Sequence, residues 1–177
     1  MSGHELDDEM QEMFEHQNRI PKTLSNETIG QPIKALELTP PPVVDMATTV
    51  EQAVALMQQR KIGCVLVVRE GVLTGIFTER DVLLKMLNKK VDYVKAKVKD
   101  YMTSSPEVLH VDDSIAYAMN LMSVGGYRHI PIVDAQRRPL SVLSMKDVVS
   151  YIVEHFPDEI LNLPPKPLRS TSEREGA

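Results

Sequence analysis

The amino-acid sequence predicts an α+β fold made of two copies of one unit. When the chain is aligned with itself, TVEQAVALM lies over SIAYAMNLM, which places Ala53 over Ala118, and CVLVV lies over HIPIV. After one added residue in a turn, GIFTERDVL lies over SVLSMKDVV, which places Asp81 over Asp147. Because the repeat extends through segments of helical and of strand-like pattern, it predicts two units with the same order of elements.

Each copy is predicted to begin with an amphipathic helix. Apolar residues recur at the spacing of one helix face, at Val50, Ala53, Val54 and Met57 in the first copy and at Ile115, Ala118, Met119 and Met122 in the second. A stripe of this kind packs against a core while the opposite face of the helix stays in water.

Two apolar runs follow each predicted helix, and together they are typical of a hairpin of buried strands. The runs are rich in β-branched residues and are separated by turn formers such as Glu70 and Gly71. The predicted strands are 64–68 and 73–77 in the first copy and 130–133 and 140–143 in the second. A helical period then resumes at 81–87 and 147–153, so each unit is expected to run helix, strand, strand, helix.

Composition and charge exclude several classes of protein. A net charge of -5 argues against a non-specific nucleic-acid binder, and with no tryptophan in the chain no aromatic stacking platform is evident. The one cysteine, Cys64, cannot form an intrachain disulfide or a cysteine-based zinc site. No stretch reaches the roughly 18 apolar residues of a membrane span, and the acidic N-terminus lacks the apolar core of a signal peptide. We therefore expect a cytoplasmic protein with neither a DNA partner nor a membrane partner.

The repeats divide the chain into four parts. An acidic N-terminal segment, 1–30, precedes the first repeat at 31–92 and the second repeat at 93–157. The remaining segment, 158–177, is rich in proline and then polar, a composition that cannot bury much apolar surface. We expect disorder in roughly the last ten residues.

The same short pattern closes the second strand of both hairpins. A hydroxyl residue is followed three positions later by an aspartate, as Thr78 and Asp81 in the first copy and as Ser144 and Asp147 in the second. At a junction of strand and helix this is a capping pattern, in which both side chains satisfy amide groups that have no helical partner. Capping alone accounts for the position and spacing of these residues.

The same residues also suit a nucleotide. A helix N-terminus attracts phosphate, to which Thr78 or Ser144 can donate a hydrogen bond and Arg80 or Lys146 can supply opposite charge. An ionised aspartate only accepts hydrogen bonds, so Asp81 or Asp147 can accept from the hydroxyls of a ribose.

These segments resemble the CBS (cystathionine-β-synthase) domain, which occurs as tandem pairs with the signature Gly-hydrophobic-x-Ser/Thr-x-x-Asp. GIFTERD matches the full signature, while VKDYMT and YRHIPIVD match other recurrent segments of the family. The resemblance covers about residues 31–156 and implies two β-α-β-β-α repeats packed as a pseudo-twofold pair, with two clefts between them. It also implies a homodimer that forms through exposed apolar helix faces.

In nucleotide-binding members of the family the signature aspartate holds the ribose, and the Ser/Thr lies near ribose or phosphate. The resemblance carries these roles to Thr78, Asp81, Ser144 and Asp147. The second repeat departs from the signature because Ser141 stands where glycine would let a ligand approach the backbone closely.

The resemblance also places Arg128 and His129 along the cleft, where Arg128 would reach a phosphate. Alternatively, Arg128 is a solvated residue at a strand end and His129 only packs with a hydrogen bond. A planar apolar adenine needs apolar walls, and the candidates for them are Val44, Val65, Leu109, Ile130 and Pro131. The alternative for all five is an ordinary place in the core.

The resemblance implies a regulatory or sensor module that binds AMP, ADP, ATP or S-adenosylmethionine, with Mg²⁺ accompanying a polyphosphate, and that acts on an unknown protein target in trans. No catalytic motif of a nucleophile, zinc or P-loop enzyme is present, so we expect no enzyme activity, no required cofactor and no metal site. One alternative is a ligand-free dimerisation or protein-docking module. Another is a nucleotide-cleaving enzyme that uses Asp81 and Asp147 with a bound metal.

Overall fold

The computed structural model describes residues 26–155, within which the two repeats have the same architecture. Residues 1–25 of the acidic N-terminal segment and the whole C-terminal tail, 158–177, lie outside the described residues. The predicted α+β class and the tandem pair of repeats are confirmed.

The first repeat contains strand, helix, strand, strand and a short helix in that order. After a short helix α1 (Asn26–Ile29), its elements are β1 (Val43–Asp45), α2 (Val50–Arg60), β2 (Cys64–Arg69), β3 (Val72–Thr78) and α3 (Glu79–Asp81). The elements of the second repeat are β4 (Thr103–Ser104), α4 (Ile115–Gly125), β5 (His129–Val133), β6 (Pro139–Ser144) and α5 (Met145–His155). A single turn of 3₁₀ helix lies near the start of each repeat, at Ile33–Ala35 and at Val98–Asp100.

The strands form a four-stranded sheet in the order β1-β2-β3-β4 and a separate hairpin of β5 and β6. Strand β1 runs parallel to β2, with Val44 opposite Val67, and the other pairs are antiparallel. The second repeat reproduces the parallel pair as a single bridge between Leu109 and Ile132. Both repeats therefore follow the β-α-β-β-α pattern.

Matching caps begin and end the first helix of each repeat. Thr49 and Gln52 form a reciprocal capping box at α2, and the hydroxyl of Ser114 accepts from the amide of Tyr117 at α4. The helices end at equivalent left-handed residues, Lys61 with φ 54° and Gly126 with φ 66°. Glycine adopts this conformation without the steric cost that lysine bears.

The second helices of the two repeats differ. Helix α5 is eleven residues long, whereas α3 continues as a π-helical turn, Val82–Met86, in which the amide of Leu87 donates to the carbonyl of Val82. Within this widened turn the Lys85 side chain lies beside Asp81. The sequence predicted an ordinary helical period here, because periodicity does not distinguish an α-turn from a π-turn.

Each repeat is completed by the segment at the start of the other one. We call 31–39 the first lead-in segment and 97–104 the second. Ile33 is fully buried in the core of the second repeat, and its amide donates to the carbonyl of Asp113. Val98 is fully buried in the core of the first repeat, and its amide donates to the carbonyl of Thr48. The exchange gives the pair its pseudo-twofold symmetry.

The two repeats also meet through the other face of their hairpins. A separate apolar cluster joins strands of the first sheet to the second hairpin, and its buried members are Cys64, Leu66, Leu73, Ile76 and Val133. No helix within residues 26–155 is long and apolar enough to cross a membrane.

We expect Ile33→Ala to lower the free energy of unfolding by about 2–5 kcal/mol, because it removes a fully buried side chain and leaves a cavity. Lys34→Ala is the matched control, because the side chain of the adjacent Lys34 makes an exposed ion pair with Asp112, and the substitution leaves its backbone hydrogen bond to Val111 in place. Such a pair contributes at most about 1 kcal/mol. Urea unfolding of both variants measures the difference, and equal losses would contradict the exchange of lead-in segments.

Candidate functional site

A cavity of about 560 Å³ lies between the repeats. Three parts of the chain form its walls: the end of β3 with the start of α3, the end of the second lead-in segment with the residues that follow it, and the connection from α4 into β5. We call this cavity the first cleft. It draws on both repeats, so its shape depends on how they pack.

The first cleft brings together six of the residues singled out from the sequence. These are Thr78, Arg80, Asp81, Arg128, His129 and Ile130.

The other residues singled out from the sequence lie outside the first cleft. Val65 and Leu109 are fully buried in the cores of the first and second repeats, and Val44 packs against the first of these cores. Pro131 is buried in β5, while Ser144, Lys146 and Asp147 form the equivalent junction of the second repeat.

The junction of β3 and α3 has the reciprocal capping geometry that the sequence predicts. The amide and the hydroxyl of Thr78 both donate to Oδ2 of Asp81 at 2.8 Å, and the amide of Asp81 donates back to the hydroxyl of Thr78 at 3.2 Å. Both hydrogen bonds from Thr78 go to Oδ2 of this carboxylate, so Oδ1 is the oxygen that can contact other groups.

Oδ1 of Asp81 has a strong partner and a weak one. The ammonium of Lys85 lies 2.6 Å from it and also donates to the carbonyls of Tyr101 and Met102. The hydroxyl of Thr103 donates to the same oxygen over 3.4 Å, the longest contact that the carboxylate makes. Asp81 is only 5% exposed, and the lysine supplies the opposite charge that a buried carboxylate needs.

The junction of β6 and α5 has the same cap, but its aspartate, Asp147, lacks counterparts of the groups that contact Oδ1 of Asp81. The amide and hydroxyl of Ser144 donate to Oδ2 of Asp147 at 2.7 Å. Alignment of the repeats puts Tyr151 at the position of Lys85 and Leu38 at the position of Thr103. Oδ1 of Asp147 consequently accepts no hydrogen bond from residues 26–155. The two junctions share a motif but differ in their surroundings.

A family model described as "CBS domain" matches this chain twice, at residues 33–88 and 98–154. The chain belongs to the CBS domain family.

Curated proteins are similar to this chain in sequence. The chain is 33% identical over 120 residues to the "CBS domain-containing protein CBSX3, mitochondrial" of Arabidopsis thaliana, a match that covers 65% of this chain and 58% of the relative. It is 29% identical over 119 residues to the "Meiotically up-regulated gene 70 protein" of Schizosaccharomyces pombe, covering 67% of this chain and 16% of that protein. The chain thus spans only part of the length of these relatives.

Solved structures share the fold. One is a putative signal-transduction protein with CBS domains from Burkholderia ambifaria, with a TM-score of 0.61 and 28% identity over 66% of this chain and 84% of the other. Another is CBSX2 in complex with AMP, with a TM-score of 0.61 and 26% identity over 71% of this chain and 98% of that one.

The signature glycine of the first CBS repeat faces protein. A Cβ at Gly75 would overlap the side chain of Met102, so the second lead-in segment packs directly against this glycine. At the equivalent position of the second repeat, the hydroxyl of Ser141 donates to the carbonyl of Thr39 in the first lead-in segment at 2.8 Å. Both positions therefore contact a lead-in segment, and the expectation that glycine serves the close approach of a ligand stays a prediction.

His129 lies at the contact between the CBS repeats. A Cβ on Gly63 would lie 2.8 Å from its Cε1, so the imidazole packs directly on that glycine. Burial lowers the pKa of His129, and the charge of Arg128 lowers it further, while the carboxylates of Glu79 and Asp147 act in the opposite direction. Burial also raises the pKa of the neighbouring Cys64 thiol to about 12, with Glu79 contributing.

Several residues of the first cleft were not identified from the sequence. Glu79 and Glu107 add negative charge to its wall, Thr103 adds a hydroxyl, and Leu83 and Tyr127 add apolar surface. Tyr127 belongs to the YRHIPIVD segment used for the family resemblance, so its place next to Arg128 was the available signal. Within residues 26–155 no group of three His, Cys, Asp or Glu side chains is arranged to hold a metal ion.

Acid is expected to destabilise the protein partly through His129. Because its pKa in the folded state lies below the value of about 6.5 of an unfolded chain, the unfolded state binds more protons once the pH falls below about 6.5. His129→Gln should therefore lose less unfolding free energy than wild type between pH 7.5 and pH 5.5. Urea unfolding across this range measures it.

Between pH 7.5 and pH 8.5 the imidazole is neutral in both states, so the difference between wild type and His129→Gln should stay constant there. An equal acid-induced loss in the two proteins would show that His129 does not carry this effect.

Proposed function

We propose that this protein is a regulatory module that binds AMP in the first cleft. The observation that carries the proposal is the convergence on one cavity of the Thr78–Asp81 junction and the Arg128–Ile130 segment, which come from different CBS repeats. A ligand that contacts both repeats binds more tightly when the repeats pack as they do here than when they pack differently. Binding therefore shifts the population towards this packing, and the size of the shift is set by the ratio of the two affinities.

Asp81 would hold the ribose. Its carboxylate is oriented by Lys85 and Thr78, and its loosest contact is the 3.4 Å hydrogen bond from Thr103. A ribose hydroxyl that replaces this contact would form a charge-assisted hydrogen bond without displacing the lysine. Both oxygens of Asp81 already contact groups of the protein, and we therefore propose a binding role for Asp81 and not nucleotide cleavage.

The charges of the cleft favour a ligand with few phosphates. Arg80 and Arg128 are exposed in its wall, where they can pair with a phosphate, but Glu79 and Glu107 lie in the same wall. A triphosphate would bring more negative charge towards these carboxylates than a monophosphate does. AMP also needs no Mg²⁺. The complex of CBSX2 with AMP supports the same choice.

The second cleft is a weaker candidate for binding. The cavity wall at Ser105, Pro106 and Glu107 aligns with Pro40, Pro41 and Pro42, beside the expected second cleft. In the first cleft the amide of Ser105 already donates to the carbonyl of Thr74, and Pro106 has no amide hydrogen. The donor that the second wall lacks is therefore the amide of Glu107, because Pro42 takes its place. We therefore propose one AMP per chain.

Signalling would act in trans, through a partner that distinguishes the ligand-bound packing of the repeats from the free one. The partner is a protein target. The cytoplasmic location expected from the sequence is part of this proposal, and cell fractionation tests it.

Calorimetric titration with AMP tests the binding site. Wild type should bind one AMP per chain, and Asp81→Asn should weaken binding at least about tenfold, since hydrogen bonds to a charged group contribute roughly 1.5–3 kcal/mol. Asp147→Asn is the matched control, because it alters an equivalent cap that lies outside the first cleft. Thermal unfolding of both variants establishes that they are folded.

ATP and S-adenosylmethionine serve as competing ligands in the same titration. Tighter binding of either one would replace AMP as the ligand while keeping the site. No saturable binding of any of the three would favour the ligand-free docking module.

We also propose that the chain forms a homodimer through its helices. Large apolar side chains on the helical elements are widely exposed, among them Leu84 at 63% and Val124 at 82%. Surface of this kind in a folded protein marks an interface. Light scattering at micromolar concentration should give twice the chain mass, and Leu84→Glu should shift the mass towards the monomer. A monomeric wild type would contradict the proposal.

A further inference from the structure

Positive charge is concentrated where the first repeat ends and the second begins. Residues 85–99 contain six lysines and one acidic residue, Asp92, so they carry a net charge of +5 in a chain whose net charge is -5. When the alignment of the repeats is continued with the same shift, the equivalent positions, 151–165, contain no lysine or arginine and three acidic residues. The repeated unit therefore does not need these lysines in order to fold.

Most of these lysines have no acidic partner. Lys85 is paired with Asp81, and Lys95 lies 3.4 Å from its neighbour Asp92. The lysines that form no ion pair with any residue of 26–155 are Lys89, Lys90, Lys97 and Lys99. Like charges held on one stretch of chain repel each other, so a group of carboxylates placed beside them would be attracted to this stretch.

Two large apolar side chains are exposed among the lysines. Leu87 is 51% exposed and Val94 is 60% exposed. We use the name lysine surface for the exposed side chains of this stretch, which are those of Leu87, Lys89, Lys90, Val94 and Lys99. A partner that matches this surface combines negative charge with apolar side chains.

The backbone below the lysine surface is fixed to the first repeat. At the start of α2, the amides of Val50 and Glu51 donate to the carbonyls of Ala96 and Tyr93 at 2.9 and 3.0 Å. Val98 anchors the end of the stretch in the first core, where it is fully buried. The surface is thus formed in advance, so a partner that binds it does not have to order this backbone.

The N-terminal part of the same chain has the complementary composition. Residues 5–15, ELDDEMQEMFE, contain six carboxylates and no lysine or arginine, and their apolar residues are Leu6, Met10, Met13 and Phe14. An extended chain covers up to about 3.3–3.6 Å per residue, so the ten-residue connection 16–25 can bridge about 35 Å. This is close to the diameter of a compact domain of the size of 26–155, about 36 Å. Residues 5–15 are therefore long enough, and near enough, to reach the lysine surface.

We propose that residues 5–15 bind to the lysine surface of their own chain, with carboxylates paired to the lysines and apolar side chains covering Leu87 and Val94. Charge complementarity identifies this occupant, because the charge of -6 on 5–15 opposes the charge of +5 on 85–99. The inference goes beyond the proposed function and does not depend on the binding of AMP. It assigns an interaction surface to the acidic N-terminal segment.

Carbodiimide treatment of the full chain tests the contact, because it joins the ammonium of a lysine to a carboxylate that touches it. Peptide mass mapping should find residues 5–15 linked to Lys89, Lys90 or Lys99. The ion pair of Lys34 with Asp112, 2.7 Å long, is the positive control. Lys146 is exposed but lies in α5, away from this stretch of chain, so it should form no such link. Links to Lys146 as frequent as those to the lysine surface, or no links to the lysine surface, would overturn the proposal.

Isotope labelling separates binding within one chain from binding to a second copy. Unlabelled protein and protein labelled with nitrogen-15 are unfolded together, refolded together and then linked. Linked peptides that carry the same label in both halves support binding within the chain. Linked peptides of mixed label would show that a second copy supplies residues 5–15, which overturns the proposal as stated.

A protease that cleaves after glutamate supplies an independent readout, because residues 5–15 contain four glutamates. The triple variant Lys89→Gln, Lys90→Gln and Lys99→Gln should speed cleavage there at least about threefold, since each exposed ion pair contributes a factor of roughly 1.4 to 5 to an equilibrium constant. Thermal unfolding establishes that the variant is folded.

A second triple variant is the matched control for this experiment. Arg69→Gln, Arg137→Gln and Arg138→Gln together remove three exposed positive charges from the hairpin turns and leave the lysine surface intact. Cleavage within 5–15 should stay at the wild-type rate in this protein. Equal acceleration in the two triple variants would show that net charge, and not the lysine surface, holds residues 5–15, and would overturn the proposal.

Discussion

The exchange of lead-in segments is the constraint on which the rest of the structure depends. Ile33 completes the core of the second repeat and Val98 completes the core of the first, so neither repeat has a full core of its own. The same exchange pairs β4 with β3 and brings Thr103 next to Asp81. It also brings the carbonyls of Tyr101 and Met102 within reach of Lys85. One wall of the first cleft is thus a direct product of this packing.

Much of the fold could be predicted from the sequence, because each helix and strand of one repeat can be checked against its counterpart in the other. The helix that begins at Val50 and the one that begins at Ile115 were found from the same spacing, and the capping pattern at Thr78 recurred at Ser144. These are local properties, set by residues a few positions apart. Arg80 was singled out from the chemistry of a helix N-terminus and Arg128 from the family resemblance, and the structure brings both to one cavity.

What the sequence did not predict depends on contacts between distant residues. The contact between Gly75 and Met102 joins residues far apart in the sequence, and only the structure shows it. The ion pair of Asp81 with Lys85 depends on the widened turn that holds Lys85, which the sequence did not predict. Val65 and Leu109 have the composition of a ligand wall, but their strands point them into the cores. Their pattern suits either place, and only the packing of neighbouring elements decides between them.

The exchanged lead-in segments also set an order in which the two cores can close as the chain is synthesised. Every buried member of the first core lies between Val50 and Val98, one continuous stretch of chain. The second core joins Ile33 to residues that run from Leu109 to Val148, so it is discontinuous along the chain. Ile33 is synthesised before the rest of the first repeat, and its partners in the last strand and helix of the second repeat are synthesised much later. The first core can close on its own residues, while the second closes only by bringing the beginning of the described chain back to its end.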